Sequence, residues 1–419
     1  MSNKLLTPTQ VLREAQRVLH NNLVFVKNVN KQYSSEFAIS GAKVGSTINV
    51  RLPNRYYVSK TTALQAQNTN ETTVPVTLTT NYQVGLNFTQ AELTLSLDDF
   101  SKRILVPAMA RLASQIDQDG LGQVINVYNQ VGTPGTTPGT STTSTFTDDT
   151  LNYTVPQVYL NAGMMLDNMA TPRDDNRRVV VNPAAMAKSV GGLSGLFQDS
   201  GEIAKQYRKG VIGTALGFEF AMDQNINLLA TGAHGGQPTV TTAGQTGAAI
   251  NTTGWTASVA GILMPGEVIT FQGVYGVNPE NQTTFNVLQR FAVTAECSSD
   301  SNGNATIPIS PSIIAAGTGV ANGTVAESPA AGATVNLLSG SASTNYPLNV
   351  AYHKDAFTLA TADLEMPKGV DFAARETYDG VSMLIVRAYD INNAQFPCRI
   401  DVLGGWATLR PELACRIAG

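Results

Sequence analysis

The stretch VPVTLTTNYQVGLNF, residues 74–88, alternates apolar and polar positions from end to end. Val74, Val76, Leu78, Tyr82, Val84, Leu86 and Phe88 fall on one face, with Thr80 filling the gap. Pro75, Thr77, Thr79, Asn81, Gln83, Gly85 and Asn87 fall on the other. A period of two over that length predicts a long, half-buried strand. Upstream, Ile48, Val50 and Leu52 alternate with Thr47, Asn49 and Arg51. The polar stretch Thr61–Thr73 between the two runs then reads as the loose tip of an extended hairpin. At about 3.3 Å per residue the later strand would reach roughly 50 Å, whereas globular strands usually hold about 3–10 residues. An isolated hairpin is marginally stable in water, so this one needs a neighbouring sheet or another copy of the chain to lie on.

On either side of the hairpin the patterns are helical. Val11, Ala15, Val18 and Leu19 recur at helical spacing behind Thr7-Pro8, a good start for a short terminal helix over 7–20. After the hairpin, Ser96 with Asp98 and Asp99 suits an N-cap and an acidic first turn. Phe100, Ile104, Ala108, Leu112 and Ile116 then recur every fourth residue. A long helix over 97–128 is expected, kinked at Pro107 and weakened by Gly120 and Gly122. VGTPGTTPGTSTTSTFTDD (131–149) is expected to be a flexible loop. A helix over Pro156–Met169, a buried strand over Arg178–Pro183, a helix over Ala184–Val190, a GGLSG loop and a strand from Gly217 follow.

The composition changes next. Between Asp223 and Lys354 the only charged side chains are Glu267, Glu280, Arg290, Glu296, Asp300 and Glu327. Short β signals (268–271, 285–293, 307–309, 333–338) are separated there by Gly, Asn and Pro, which predicts an all-β barrel or sandwich inserted into the fold. The tail returns to strands at 348–353, 381–389 and 399–406.

The whole chain has 419 residues, a net charge of -4 and only 14 % charged side chains, against about 25 % in ordinary globular proteins. That length is enough for about two to three domains. The profile excludes a charge-rich disordered chain and a globally basic nucleic-acid binder. No run of about 18 apolar residues marks a membrane helix. The opening residues lack the apolar core of a signal peptide, being broken by Arg13, Glu14 and Arg17. Three scattered cysteines fit a reduced cytosolic setting better than a disulfide scaffold. Few surface charges on a large protein hint at surface hidden against partners. Residues 1–60 are the exception, with nine basic side chains against two acids. They form a solvated face, meet acidic neighbours or contact nucleic-acid phosphates.

Chemistry-bearing motifs are missing. There is no phosphate-binding glycine loop after a strand, no nucleophile elbow and no HExxH. His353 beside Lys354 and Asp355 reads as structural, and adjacent pairs such as Asp98-Asp99 and Asp174-Asp175 do not converge on one metal. The glycine pairs 191–192 and 404–405 read as turns or close-packing points. No catalytic, cofactor-binding or metal residue is assigned, and no cofactor or enzyme activity is expected.

The tail carries a resemblance. Tyr352-His353-Lys354-Asp355-Ala356-Phe357, Cys398-Arg399-Ile400 and the closing Arg410-Pro411-Glu412 resemble the coat proteins of tailed bacteriophages. Among these, the stretch 349–417 is similar to the Salmonella short-tailed-phage coat family. The resemblance implies an α+β, Hong Kong 97-like capsid fold with an inserted all-β domain. Its parts would be an N-terminal arm (1–45), an extended hairpin (46–90), a spine helix and flexible loop (91–150), peripheral-domain elements (151–228), an inserted β-barrel domain (229–346) and axial-domain closing strands (347–419). It further implies a major capsid protein that self-assembles into hexamers and pentamers of an icosahedral virion shell. The expected partners are a scaffolding protein, a portal protein and packaged double-stranded DNA held by non-specific contact, with assembly in the bacterial host cytoplasm and no membrane. Arg13, Arg17, Arg51, Arg55, Lys60 and Glu71, on the arm and hairpin, are then the candidates for contacts between subunits. Lys60 is also the positional candidate for an isopeptide crosslink, which this sub-family is not generally expected to form. The alternative is an encapsulin-type compartment around a protein cargo. A hydrolase or sugar-binding β-protein would need clustered acids or aromatics in the inserted region, where Trp255 is the sole tryptophan.

Overall fold

In the computed structural model, which describes residues 8–33, 45–64, 66–68, 71–88, 105–138, 142–146, 149–153, 155–193, 212–317, 319–391 and 395–419, the alternating run at 74–88 is two strands, not one. β1 (Thr47–Arg51) and β2 (Thr73–Thr77) pair antiparallel, with Ile48 opposite Val76 and Val50 opposite Val74. β3 (Thr80–Phe88) then changes partner and runs antiparallel to the strand Phe396–Thr408, from Thr80 opposite Gly404 to Phe88 opposite Phe396. The expected 50 Å hairpin ribbon is therefore corrected to a ladder about 17 Å long. The reason is physical: alternation reports which side of a strand is buried, not which backbone lies beside it. Leu78 stays buried through the change of partner. Its N–H donates to Ser46 O at 3.0 Å and its carbonyl accepts from Gly45 N at 2.8 Å.

The described chain falls into two compact units. The first combines Met1–Leu52, Thr73–Leu121 and Phe357–Leu409. Its five-stranded antiparallel sheet places Phe396–Thr408 beside Phe357–Ala362, Val381–Arg387 and β3, with Phe372–Tyr378 beyond Val381–Arg387. Helix α1 (Pro8–Asn22) packs on Phe372–Tyr378 and buries Val11, Leu12, Ala15, Val18 and Leu19, the face its spacing predicts. Helix α2 (Val106–Gly122) buries Ala108, Leu112 and Ile116. Pro107 is the second residue of α2, at the edge of the described residues, and the stretch before it on which the expected kink turns lies outside them. The helix gives way to a 3₁₀ turn at Gln123–Asn126, short of the expected end. The expected cap at Ser96 and the residues up to 104 lie outside the described residues. A Cβ at Gly120 would stand 2.5 Å from the Trp406 ring and 2.9 Å from Phe25. This glycine admits two aromatic rings and does more than weaken a helix.

The second unit combines Pro53–Thr72, Gly122–Ala356 and Arg410–Gly419. Its seven-stranded sheet runs Gln130–Val131, Ala414–Ala418, Asn345–His353, Arg177–Val181, Phe218–Met222, Thr214–Ala215, with Leu228–Ala230 also paired to Asn345–His353. Helices α3 (Val155–Asn168) and α4 (Pro183–Leu193) bury Val158, Leu166, Ala185 and Met186 in one cluster with Val179, Val181 and Phe220. Two loop expectations need correcting. The Ser/Thr-rich run 131–149 contains one strand of an antiparallel pair, Thr142–Phe146 with Asp149–Tyr153. Gly191 and Gly192 close α4, so the described part of GGLSG is helical.

Between Thr239 and Leu337 lies an antiparallel six-stranded sheet, ordered Thr239–Val240, Gly247–Thr253, Ala305–Ile313, Phe291–Val293, Val268–Phe271, Val335–Leu337. Its two edges meet: Val240 N donates to Ala333 O at 2.9 Å and Val335 N to Pro238 O at 3.0 Å. The sheet is thus a closed barrel, filled by Ile250, Phe271, Phe291, Ile307 and their neighbours. No helix among the described residues is long and apolar enough to cross a membrane.

Candidate assembly interface

Beyond the β1–β2 ladder the chain makes a loop over residues 52–72 whose ends are fixed and whose mostly polar outer part exposes two aliphatic side chains. At its root Val50 and Val76 are buried with Leu78, Leu403 and Leu409. The opposite face carries the cross-strand pair Thr47 Oγ1···Thr77 Oγ1 at 2.8 Å. Pro75 costs nothing here because β2 pairs on one side only. Farther out the Gln67 amide bridges the loop: Tyr57 N donates to Gln67 Oε1 at 2.9 Å, and Gln67 Nε2 donates to Tyr57 O at 2.5 Å. One side chain thus supplies the two bonds that a paired strand would give. Past this clamp, Val58 is 83 % and Leu64 92 % exposed; just before it, Tyr56 is 56 % exposed.

The candidate charges fall in different settings. Arg13 pairs with Glu376 at 3.0 Å, and the neighbouring Gln16 Nε2 donates to Glu376 O at 2.6 Å. Arg17 pairs with Glu14 on its own helix. Arg55 reaches Glu412 at 3.4 Å, and Arg410 Nε donates to the same carboxylate oxygen at 3.1 Å. Lys60, Arg51 and Glu71 are exposed. Below Glu412 lies buried Tyr128, whose hydroxyl is held well above its ordinary pKa, first by burial and then by the Glu412 charge, against the pull of Arg55 and Arg410. Arg55 and Glu412 come together although 357 positions separate them, and nothing in the spacing of the sequence signals it.

Two of the three histidines, His234 and His353, are buried and bonded to carboxylates. His353 is buried at the end of its strand, its Nε2 2.9 Å from Asp174 Oδ1 while Nδ1 accepts from Asp355 N at 3.3 Å. The bond from Asn176 and then the one from His353 hold the Asp174 carboxyl down at about 2. His234 is buried against Glu267 in the barrel unit, 2.5 Å away. Among the described residues no group of three or more His, Cys, Asp or Glu side chains could hold a metal ion.

Among the described residues, the loop leaves two aliphatic side chains, Val58 and Leu64, in water beyond a buried root. The family described as P22 coat protein (gene protein 5) matches residues 2–419. The chain belongs to this coat-protein family. It is a major capsid protein, the structural subunit of a phage virion shell, with an α+β fold. Coat proteins of this kind assemble as shells of many copies. Among solved structures it is similar to one from Mycobacterium phage Che8, at 12 % identity over 94 % of this chain and 90 % of that one, with a TM-score of 0.44. The capsid of cyanophage P-SCSP1u aligns at 11 % identity over 90 % and 83 %, TM-score 0.41. The capsid of Myoviridae phage XM1 aligns at 9 % identity over 96 % and 90 %, TM-score 0.33. No match was found among curated proteins. In this coat protein the tail residues that carried the resemblance have defined places: His353 closes a strand of the seven-stranded sheet, Cys398 to Ile400 lie within Phe396–Thr408, and Glu412 receives Arg55.

Proposed function

We propose that the coat protein builds its shell by laying the loop over residues 52–72 on a neighbouring copy, with the tip side chains Val58 and Leu64 buried in that contact. The observation that carries this reading is the pair of aliphatic side chains left almost fully in water at the end of a loop otherwise well tied down. Burying one such side chain is worth about 1.5–3 kcal/mol, and a shell repeats the contact in every copy. Interfaces of about 800 Å² per partner are ordinary, so several per subunit give a closed lattice collective stability while each contact stays reversible during assembly. The shell is read as an icosahedron of hexamers and pentamers, formed in the host cytoplasm with a scaffolding protein and a portal and filled with double-stranded DNA through phosphate contacts without base readout. The charges at Arg51, Lys60 and Glu71 are assigned to the loop's contact with its neighbour, and the subunit acts as a structural protein with no catalytic role. The test replaces residues 58–66 by a short Gly-Ser turn. The variant is expected to give folded, soluble subunits that form no shells by sedimentation and negative-stain microscopy. Shells of normal size from this variant refute the reading.

A further inference from the structure

Arg55 stands at the foot of the loop and Glu412 in the 3₁₀ turn Pro411–Leu413, and their 3.4 Å ion pair ties loop to body. Glu412 is well held: Pro411 opens the turn, Leu413 beside it is buried, Arg410 Nε bonds the same carboxylate oxygen, and Asn129 Nδ2 donates to its backbone oxygen at 3.5 Å. The Glu412 side chain is only 16 % exposed and that of Arg55 34 %, so the pair is partly shielded from water and salt. The Gln67 clamp fixes the two arms of the loop to each other. It leaves open the direction in which the loop leaves the body. A guanidinium reaching from the loop to a carboxylate on a rigid turn supplies that direction.

We infer that the Arg55–Glu412 pair is an internal brace that presets the loop's direction in the unassembled subunit, and that Arg55 is a positioning residue acting through Glu412, not a contact to the neighbouring copy. This rests on the reading that the loop tip docks on a second subunit. A loop held in its bound direction before docking loses less conformational freedom on assembly, and that saving appears as faster shell growth.

The experiment is a charge exchange in the full-length coat protein. Arg55→Glu and Glu412→Arg each place like charges face to face and are expected to slow shell formation at least about tenfold. The double variant Arg55→Glu/Glu412→Arg keeps the same net charge in the trio with Arg410 and is expected to restore most of the rate. Spin labels on Lys60→Cys and Ala257→Cys, both exposed positions, are expected to give a narrow distance distribution in the unassembled subunit, broad in each single variant and narrow again in the double one. Melting temperatures of the unassembled subunits control for folding, and Arg55→Lys, which keeps the charge, should retain most of the rate if a single variant folds poorly. A double variant as slow as the singles, or an unchanged distance distribution in the singles, overturns the brace. The variant lacking residues 58–66 separates the two claims: if it assembles normally, the docking reading fails; if it does not assemble and the exchange brings no rescue, only the brace fails.

Discussion

A Cβ at Gly405 would stand 2.0 Å from the carbonyl oxygen of Thr77, a backbone atom with no side-chain freedom to yield. Gly405→Ala is therefore expected to destabilise the subunit by about 3 kcal/mol, the upper end for overpacking. Gly85→Ala, on β3 with nothing within 4 Å of the added methyl, should stay within about 0.5 kcal/mol of the parent. Urea unfolding of the two variants compares them, and equal midpoints would remove the close approach as the reason for the glycine. A second residue-scale expectation concerns alkaline pH. Burial pushes the Cys398 and Cys415 thiols up from 9.0 to about 12. Between these values the unfolded thiols ionise while the folded ones keep their protons, so the unfolded state binds fewer protons and stability falls as pH rises. The buried Arg416 guanidinium works the other way: burial lowers it to about 9, far below its ordinary value, so its contribution to stability rises with pH over much of the same range. Cys398→Ala/Cys415→Ala should flatten the loss of stability between pH 9 and about 11, read as the shift of the urea midpoint. A slope equal to the parent's would contradict the assignment.

At the scale of elements, the barrel over 239–337 closes on itself, and the chain enters and leaves it through one neck. Thr231 N donates to Thr344 O at 3.0 Å and Ser343 N to Gly232 O at 2.8 Å. A module whose ends meet and whose core is its own has what it needs to fold alone. A fragment spanning 229–346 is expected to be monomeric and to melt cooperatively, as followed by near-ultraviolet circular dichroism. A fragment that melts without cooperativity would place part of its stability in the rest of the unit, where Arg416 donates to Gly266 O, to Ile125 O at 2.5 Å and to Val124 O at 3.1 Å. The barrel strands at 268–271 and 307–309 were legible because apolar side chains there have nowhere to go but a core. That the runs holding Ile48, Val50, Val74 and Val76 pair as a hairpin was legible for the same reason, while their register was not. Three other features were not. The partner of β3 lies more than 300 positions away, and periodicity carries no information about distant backbones. The strand 142–146 is almost wholly Thr and Ser and lacks an apolar alternation to announce it. Arg55 was read from the sequence as a candidate contact between subunits and Glu412 only as part of the closing Arg410-Pro411-Glu412, and only the folded chain brings them together.

At the scale of the whole molecule, a subunit with only 14 % charged side chains is built to be surrounded by copies of itself. If each copy both gives a loop to one neighbour and receives one from another, a copy without its tip still receives and still enters the lattice, but leaves one contact unmade. Mixing subunits lacking residues 58–66 with intact ones at constant total concentration therefore separates two behaviours. Were the loop needed only for the subunit's own fold, the defective copies would be excluded and the yield of shells would follow the fraction of intact subunits. Were the loop given to a neighbour, defective copies would be incorporated and each would weaken a site that other copies depend on. Because closure needs nearly all contacts at once, the yield would then fall faster than the intact fraction. We expect the second behaviour: at one-quarter defective subunits the sedimenting shell fraction should drop well below three-quarters of its starting value, with the defective chain detectable in the residual particles by mass. A yield that tracks the intact fraction, with particles free of the defective chain, would show that the loop serves its own subunit and not the next.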